Sequence, residues 1–399
     1  MSTNVSTPFF VMNNKIQNYP WGSVDSVSKL FNIANPDSQP QAEIWMGAHP
    51  NGCSEIEIDG KPTLLSDFIQ QHKPEILSPQ TAEQFGELPY LFKVLAAAQA
   101  LSIQVHPSKQ EAEIGFEKEN QQGIALNAAN RNYKDPNHKP ELVYALTPYQ
   151  AMNGFRPLAE IIDNFEQLNI QPLKPLIDAL KRAQNESGLE AFFTQLLSLQ
   201  GEEKTDAVGA LLSHVKASIK NETYALIEEL SVQYPGDIGL FAPLMLHVLT
   251  LQPGEAMYLD ARTPHAYLKG TGLEIMANSD NVLRAGLTPK HMDVAELAKC
   301  TKFAEKPAET LLLEPVDQGD ILLFPVPVPD FKFAIFPQPH SVEVSIDSAE
   351  VLMPLDAGLT VENDQGISVT IDKGQSVFVP AYTASYKLSS AGRVARAYN

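Results

Sequence analysis

The hydrophobic periodicity of this chain changes twice, and that change limits the folds open to it. Within residues 156–235, Leu158, Ile161, Ile162, Phe165 and Leu168 recur at helical spacing. Leu189, Phe192, Phe193, Leu196 and Leu197 repeat the spacing, as do Val208, Leu211, Leu212 and Val215. The polar stretches 185–188 and 201–206 are expected to separate these helices, with Gly188 and Gly201 as punctuation. On either side of the block, apolar residues come in short runs broken by proline and glycine, the pattern of strands. A helical block between two β regions predicts a mainly β protein with a helical insert. A chain of 399 residues exceeds what one core usually holds, so about two or three domains are expected.

The β regions carry more detail. Residues 53–58 alternate Ile56 and Ile58 with charged neighbours before a turn at Asp59 and Gly60. The run YLFKVL at 90–95 reads as a strand buried on both faces, with Lys93 as a structural partner rather than a catalyst. From Leu101 the sequence reads LSIQVHPSK. As a strand it turns Ser102, Gln104 and His106 to one face and Leu101, Ile103 and Val105 to the other, so a sheet lining a polar cavity is expected. After Pro243, a turn at Pro253 and Gly254, a strand at 257–259 and a return through His265 to Tyr267 resemble the second half-motif of a cupin barrel. With an offset of 120, Gly374 falls on Gly254, Phe378 on Tyr258, Val379 on Leu259 and Ser385 on His265. The C-terminal part is therefore read as a second barrel that lacks the histidine. The expected architecture is two cupin-like (jelly-roll) β-barrels plus an α-helical domain. Residues 1–154 and 236–310 form the catalytic barrel, 155–235 the insert, and 311–399 a barrel without metal ligands.

Function is concentrated in residues 133–144, YKDPNHKPELVY. An Asp, a His, two Lys and a Glu stand beside two prolines, which disfavour helix and stiffen the segment. It reads as a rigid loop that enters a strand at Glu141. Gln104, His106, Glu141 and His265 then lie on three separated β segments. Two imidazoles, a carboxylate and an amide oxygen suit a borderline divalent metal, zinc before iron. Spacing leaves the carboxylate open, because Glu111, five residues after His106, is also acceptable.

The net charge of −19 argues against nucleic acid or an anionic membrane surface as a partner. Any phosphate on a substrate must then be met by a local cluster of cations. Cys53 and Cys300 are the only cysteines, which fits neither a disulfide framework nor a thiolate metal site. Residues 1–15 lack the basic start and long apolar run of a signal peptide, and no apolar run is long enough to cross a bilayer, so a cytoplasmic location is expected. A monomer is compatible with two barrels and a helical cap.

The pieces QVHPSK, YKDPNHKPELVYAL, GEAMYLDARTPHAYL and NSDNVLRAGLTPKHMDV, in this order, closely resemble type I phosphomannose isomerase. EIWMGAHPNG and LFKVLAAAQALSIQVHP extend the resemblance over most of the first 300 or so residues, with the C-terminal part matching least. The resemblance implies one zinc held by Gln104, His106, Glu141 and His265, which selects Glu141 over Glu111, and an active-site arginine at Arg284. It also implies a phosphorylated hexose as substrate, with mannose 6-phosphate and fructose 6-phosphate interconverted through a cis-enediol.

That reaction needs a base near C1 and C2 and cations near the oxygens where charge develops. Arg284 and Lys139 are expected to flank the reacting end of the sugar, with Glu274 or Lys139 as the base. Ser102 and Lys290 are the phosphate candidates, and Tyr267 a further substrate contact. The competing readings are another metal-dependent cupin sugar-phosphate isomerase or epimerase, and a sugar-phosphate-sensing cupin without turnover.

Overall fold

The structure is a computed structural model, and it describes residues 7–219 and 221–399. The first six residues, part of the segment read as lacking a signal peptide, lie outside the described residues. A ten-stranded antiparallel sheet carries the first β region, and seven- and four-stranded sheets carry the C-terminal one. Among the described residues, no helix is long and apolar enough to cross a membrane.

The ten-stranded sheet is built around two strands. Tyr90–Ala97 is buried along its whole length, as a strand covered on both faces must be. It pairs with His265–Ala277, a continuous strand of thirteen residues that unites segments expected to be separate. Gly270 lets this strand continue past a register shift between Tyr267 and Lys269. Its φ is +122°, and a Cβ there would meet the Pro148 carbonyl oxygen at 2.5 Å. The shift lets one strand pair with Tyr149–Phe155 at its start and Glu141–Ala145 at its end.

The helical block contains Leu158–Leu168, Lys174–Arg182, Glu186–Leu197, Gly201–Ala217 and Glu222–Gln233. Residues 186–188 and 201–206 are first turns of helices, not separators. Asn185 caps its helix by accepting from the Gly188 N–H, so a glycine that reads as a break lies inside the first turn. Phe155 packs edge-on against Phe193 and stacks with Phe303, which ties the insert to the sheet beneath it.

A second core lies between the first and C-terminal β regions. Tyr144 packs against Phe324 and Phe333, and Phe92 against Phe333. The N-terminal strand Phe10–Met12 crosses over to pair with Ser376–Val379 of the seven-stranded sheet. The two β regions also share a register. Glu141 stands opposite Leu259, and Glu350 stands opposite Val379. At the corresponding C-terminal place Arg396 Nε donates to Glu350 at 3.0 Å, and Tyr386 donates to the same carboxylate at 2.8 Å.

Candidate active site

The extended run at 101–106 forms a ladder only at Gln104–Val105, because its neighbours are strand ends. Ile103 and Val105 are buried in the core, while Ser102 and Gln104 line a cavity. Gln104 is the hub of this region. It stands in register with His265 on one side and Arg284 on the other.

His106, Glu141 and His265 are buried, and one donor atom from each lies within 4.8 Å of the other two. His106 Nε2 is 3.2 Å from one Glu141 oxygen, and His265 Nε2 is 3.5 Å from the other. Each ring turns Nδ1 toward a backbone carbonyl, Asn281 at 2.6 Å for His106 and Thr263 at 2.8 Å for His265. A carbonyl can only accept, so Nδ1 carries the proton and the other ring nitrogen, Nε2, is the one turned toward the carboxylate. Burial, with Lys139 nearby, pulls the His106 imidazole down to about 4, so it is neutral at physiological pH. Burial alone would raise the Glu141 carboxyl, but the Lys139 ammonium beside it holds it well below the carboxylate range. Three electron-pair donors thus converge on one point, and His106 Nε2 has no hydrogen-bond partner among the described residues. This donor set fits zinc, whose charge would offset the mutual repulsion.

The outer contacts hold the donors in place. The Tyr267 hydroxyl donates to Glu141, so this tyrosine is engaged by a candidate ligand. Lys139 Nζ lies 3.3 Å from Glu141. Glu111, the rival carboxylate, is used elsewhere. It forms a capping box with Ser108 at the start of helix Lys109–Gln121, and it pairs with Arg262 at 3.3 Å.

Glu274 and Lys93 face each other across the two central strands, with Nζ 2.8 Å from the carboxylate. Burial raises the Glu274 carboxyl, with Lys93 opposing and Glu141 adding to the rise. Lys93 also lies 3.8 Å from Glu43 and over the Trp45 ring. Ser102, Gln104, Arg284 and Lys290 line one cavity of about 380 Å³, with Tyr19 and Trp21 at its side. Burial lowers the Arg284 guanidinium, and among the described residues no neighbouring carboxylate opposes that shift. The Arg284 charge lowers the Lys290 ammonium, as two cations sharing a cavity should.

Sequence reasoning missed Asn281. Its amide donates to the backbone carbonyls of Asp135 and Asn137, both at 2.8 Å, and its oxygen accepts from the Lys134 N–H at 2.6 Å. The same residue supplies the carbonyl that orients His106. The only signal was its place in the polar start of NSDNVLRAG.

Residues 9–158 match the sequence profile of the phosphomannose isomerase type I catalytic domain, and residues 160–246 that of its helical insertion domain. The mannose-6-phosphate isomerase of Salmonella typhimurium is 47% identical over 97% of this chain and 98% of its own. The chain belongs to the type I phosphomannose isomerase family. The Rattus norvegicus mannose-6-phosphate isomerase is 36% identical over 93% of each chain. A zinc-bound mannose 6-phosphate isomerase crystal structure superposes with a TM-score of 0.94 at 46% identity, covering 98% of this chain and all of the other. The likeness runs through the C-terminal β region as well, where the quoted motifs of the phosphomannose isomerase family were sparse.

Proposed function

We infer that this protein is a zinc-dependent enzyme that reversibly isomerises mannose 6-phosphate and fructose 6-phosphate through a cis-enediol. The observation that carries the reading is the convergence of His106, Glu141 and His265 beside a cavity holding two cations, Arg284 and Lys290. A donor set for a divalent metal next to a cavity of about 380 Å³ that carries two cations matches a phosphorylated sugar. Gln104, His106, Glu141 and His265 are the proposed zinc ligands. When bound, zinc supplies Lewis-acid polarisation of the sugar oxygens.

The chain's own residues divide the remaining work. Glu274 is the proposed base, moving a proton between C2 and C1. Its raised carboxyl supports this role, since a carboxylate of higher proton affinity takes the weakly acidic C2 proton more readily. Arg284 and Lys139 stabilise the negative charge that develops on the C1 and C2 oxygens. Ser102 and Lys290 take the phosphate through a hydroxyl donor and a cation. Tyr267 is proposed as a further substrate contact, and the bond its hydroxyl donates to Glu141 supports a place beside the candidate ligands. The enzyme is further proposed to act in the cytoplasm with no nucleic-acid partner, on the support of its −19 charge and its two unpaired cysteines, and as a monomer of two β units and a helical cap.

The test supplies purified protein with mannose 6-phosphate in deuterated water. Formation of fructose 6-phosphate, with exchange of the transferred hydrogen, is expected. Absence of both in folded, zinc-loaded protein would overturn the reading.

A further inference from the structure

The loop that carries Lys139 and Glu141 is anchored twice, by different parts of the molecule. Its first half is tied to residues 278–281. Asp135 accepts from the Ser279 hydroxyl at 2.8 Å and the Asp280 N–H at 2.7 Å, and Asn281 bridges Lys134, Asp135 and Asn137. His138 is the next residue, and its side chain turns to the C-terminal β region, where its Nε2 lies 3.0 Å from Asp330 Oδ1. Asp330 is buried, and it sits between the strands Leu322–Phe324 and Lys332–Phe336. That crossing reads PVPVPD, and its three prolines fix φ at alternate positions, so the carboxylate is presented on a stiff support.

The extended backbone that a proline imposes on the residue before it links this contact to the site. The residue before a proline favours extended backbone, which applies to Lys139 ahead of Pro140. In extended backbone, successive side chains point to opposite sides. A His138 held outward by Asp330 therefore commits Lys139 inward, on the same side as Glu141, where Lys139 Nζ is found 3.3 Å from Glu141.

We propose that Asp330 of the C-terminal β region is a positioning residue for the isomerisation, fixing through His138 the face on which Lys139 and Glu141 are presented. The C-terminal region thereby takes part in the reaction without contributing a ligand or touching the sugar. This rests on the isomerase reading above.

The test is a double-mutant cycle on full-length, zinc-loaded protein, with Asp330→Ala, His138→Ala, the double variant and Asp330→Asn. Each is measured for kcat, KM for mannose 6-phosphate, bound zinc and thermal midpoint. Asp330→Ala is expected to lower kcat at least tenfold with less change in KM. The double variant should be no slower than His138→Ala alone, because Asp330 acts only through that ring. Asp330→Asn keeps an acceptor for Nε2–H and should recover most of the activity. Multiplicative losses in the double variant, or an unchanged kcat in Asp330→Ala, would overturn the proposal. If Asp330→Ala does not fold, Asp330→Ser, whose hydroxyl is too short to reach the ring, takes its place in the cycle. Wild-type turnover is the control: its absence would count against the isomerase reading, whereas its presence beside an active Asp330→Ala counts against Asp330 alone.

Discussion

Gln104 and His265 stand directly opposite each other on neighbouring antiparallel strands. The same backbone position of Gln104 is matched on its other side by Arg284. A candidate metal ligand and a candidate catalytic cation are therefore set by one short ladder, not by loops that could drift. This predicts that the two functions can be separated by side-chain truncation without disturbing the backbone.

Arg284→Ala should lower kcat by about a hundredfold to a thousandfold, the usual loss when a preorganised charge partner of a transition state is removed. Zinc content should stay near that of the wild type. Kinetics together with metal analysis on the same preparation decide the matter, and parallel loss of zinc and activity would make Arg284 a structural residue.

Lys290→Ala should act on binding. Loss of one charge-assisted contact to phosphate corresponds to a rise of about tenfold or more in KM, with kcat little changed. An unchanged KM for mannose 6-phosphate would remove Lys290 from the phosphate site.

Asn281→Ala should cost about 3 kcal/mol of stability. It leaves the Lys134 N–H and the carbonyls of Asp135 and Asn137 without their amide partner in a buried setting. Denaturant unfolding measures the loss, and a change below about 1 kcal/mol would show that the loop is held by other contacts.

Cys300 supplies a pH test away from the site. Burial pushes its thiol up to about 12, although the Tyr133 hydroxyl 3.2 Å away works against the rise. The thiolate is the reactive form, so only about one thiol in 10⁴ is reactive at pH 8, and its fraction rises about tenfold per pH unit up to that value. The folded state holds this proton more tightly than the unfolded chain. The contribution of Cys300 to stability is thus present below the ordinary thiol range and is lost as pH rises toward 12. Mass spectrometry of natively alkylated protein should find label on Cys53 first. Rapid labelling of Cys300 at pH 8 would contradict the burial argument.

Legibility in the sequence followed the range of the interactions. The switch between strand and helix period was plain, because periodicity is local and repeated across the helical block. Leu158–Leu168 falls where its apolar spacing placed it. Helix starts were harder, since Asn185 caps by a single side-chain bond and makes Gly188 look like a break. His106 and His265 could be named because each sits in a motif whose chemistry is conspicuous, whereas Glu141 was separated from Glu111 only by the family resemblance. Asn281 and Asp330 could not. Each acts by filling a hydrogen bond to a partner distant in sequence, and nothing local in composition marks such a residue. The pairing of Lys93 with Glu274 was hidden for the same reason: strand register is a tertiary property, and only the sheet brings the two together.

The most direct measurement is turnover of mannose 6-phosphate before chelation, after verified metal removal, and again after one equivalent of zinc is restored. The account predicts activity that disappears with the metal and returns as zinc rebinds, with His106→Ala and Glu141→Gln failing to recover it. Full activity in protein shown to be free of metal would contradict a catalytic metal at His106, Glu141 and His265.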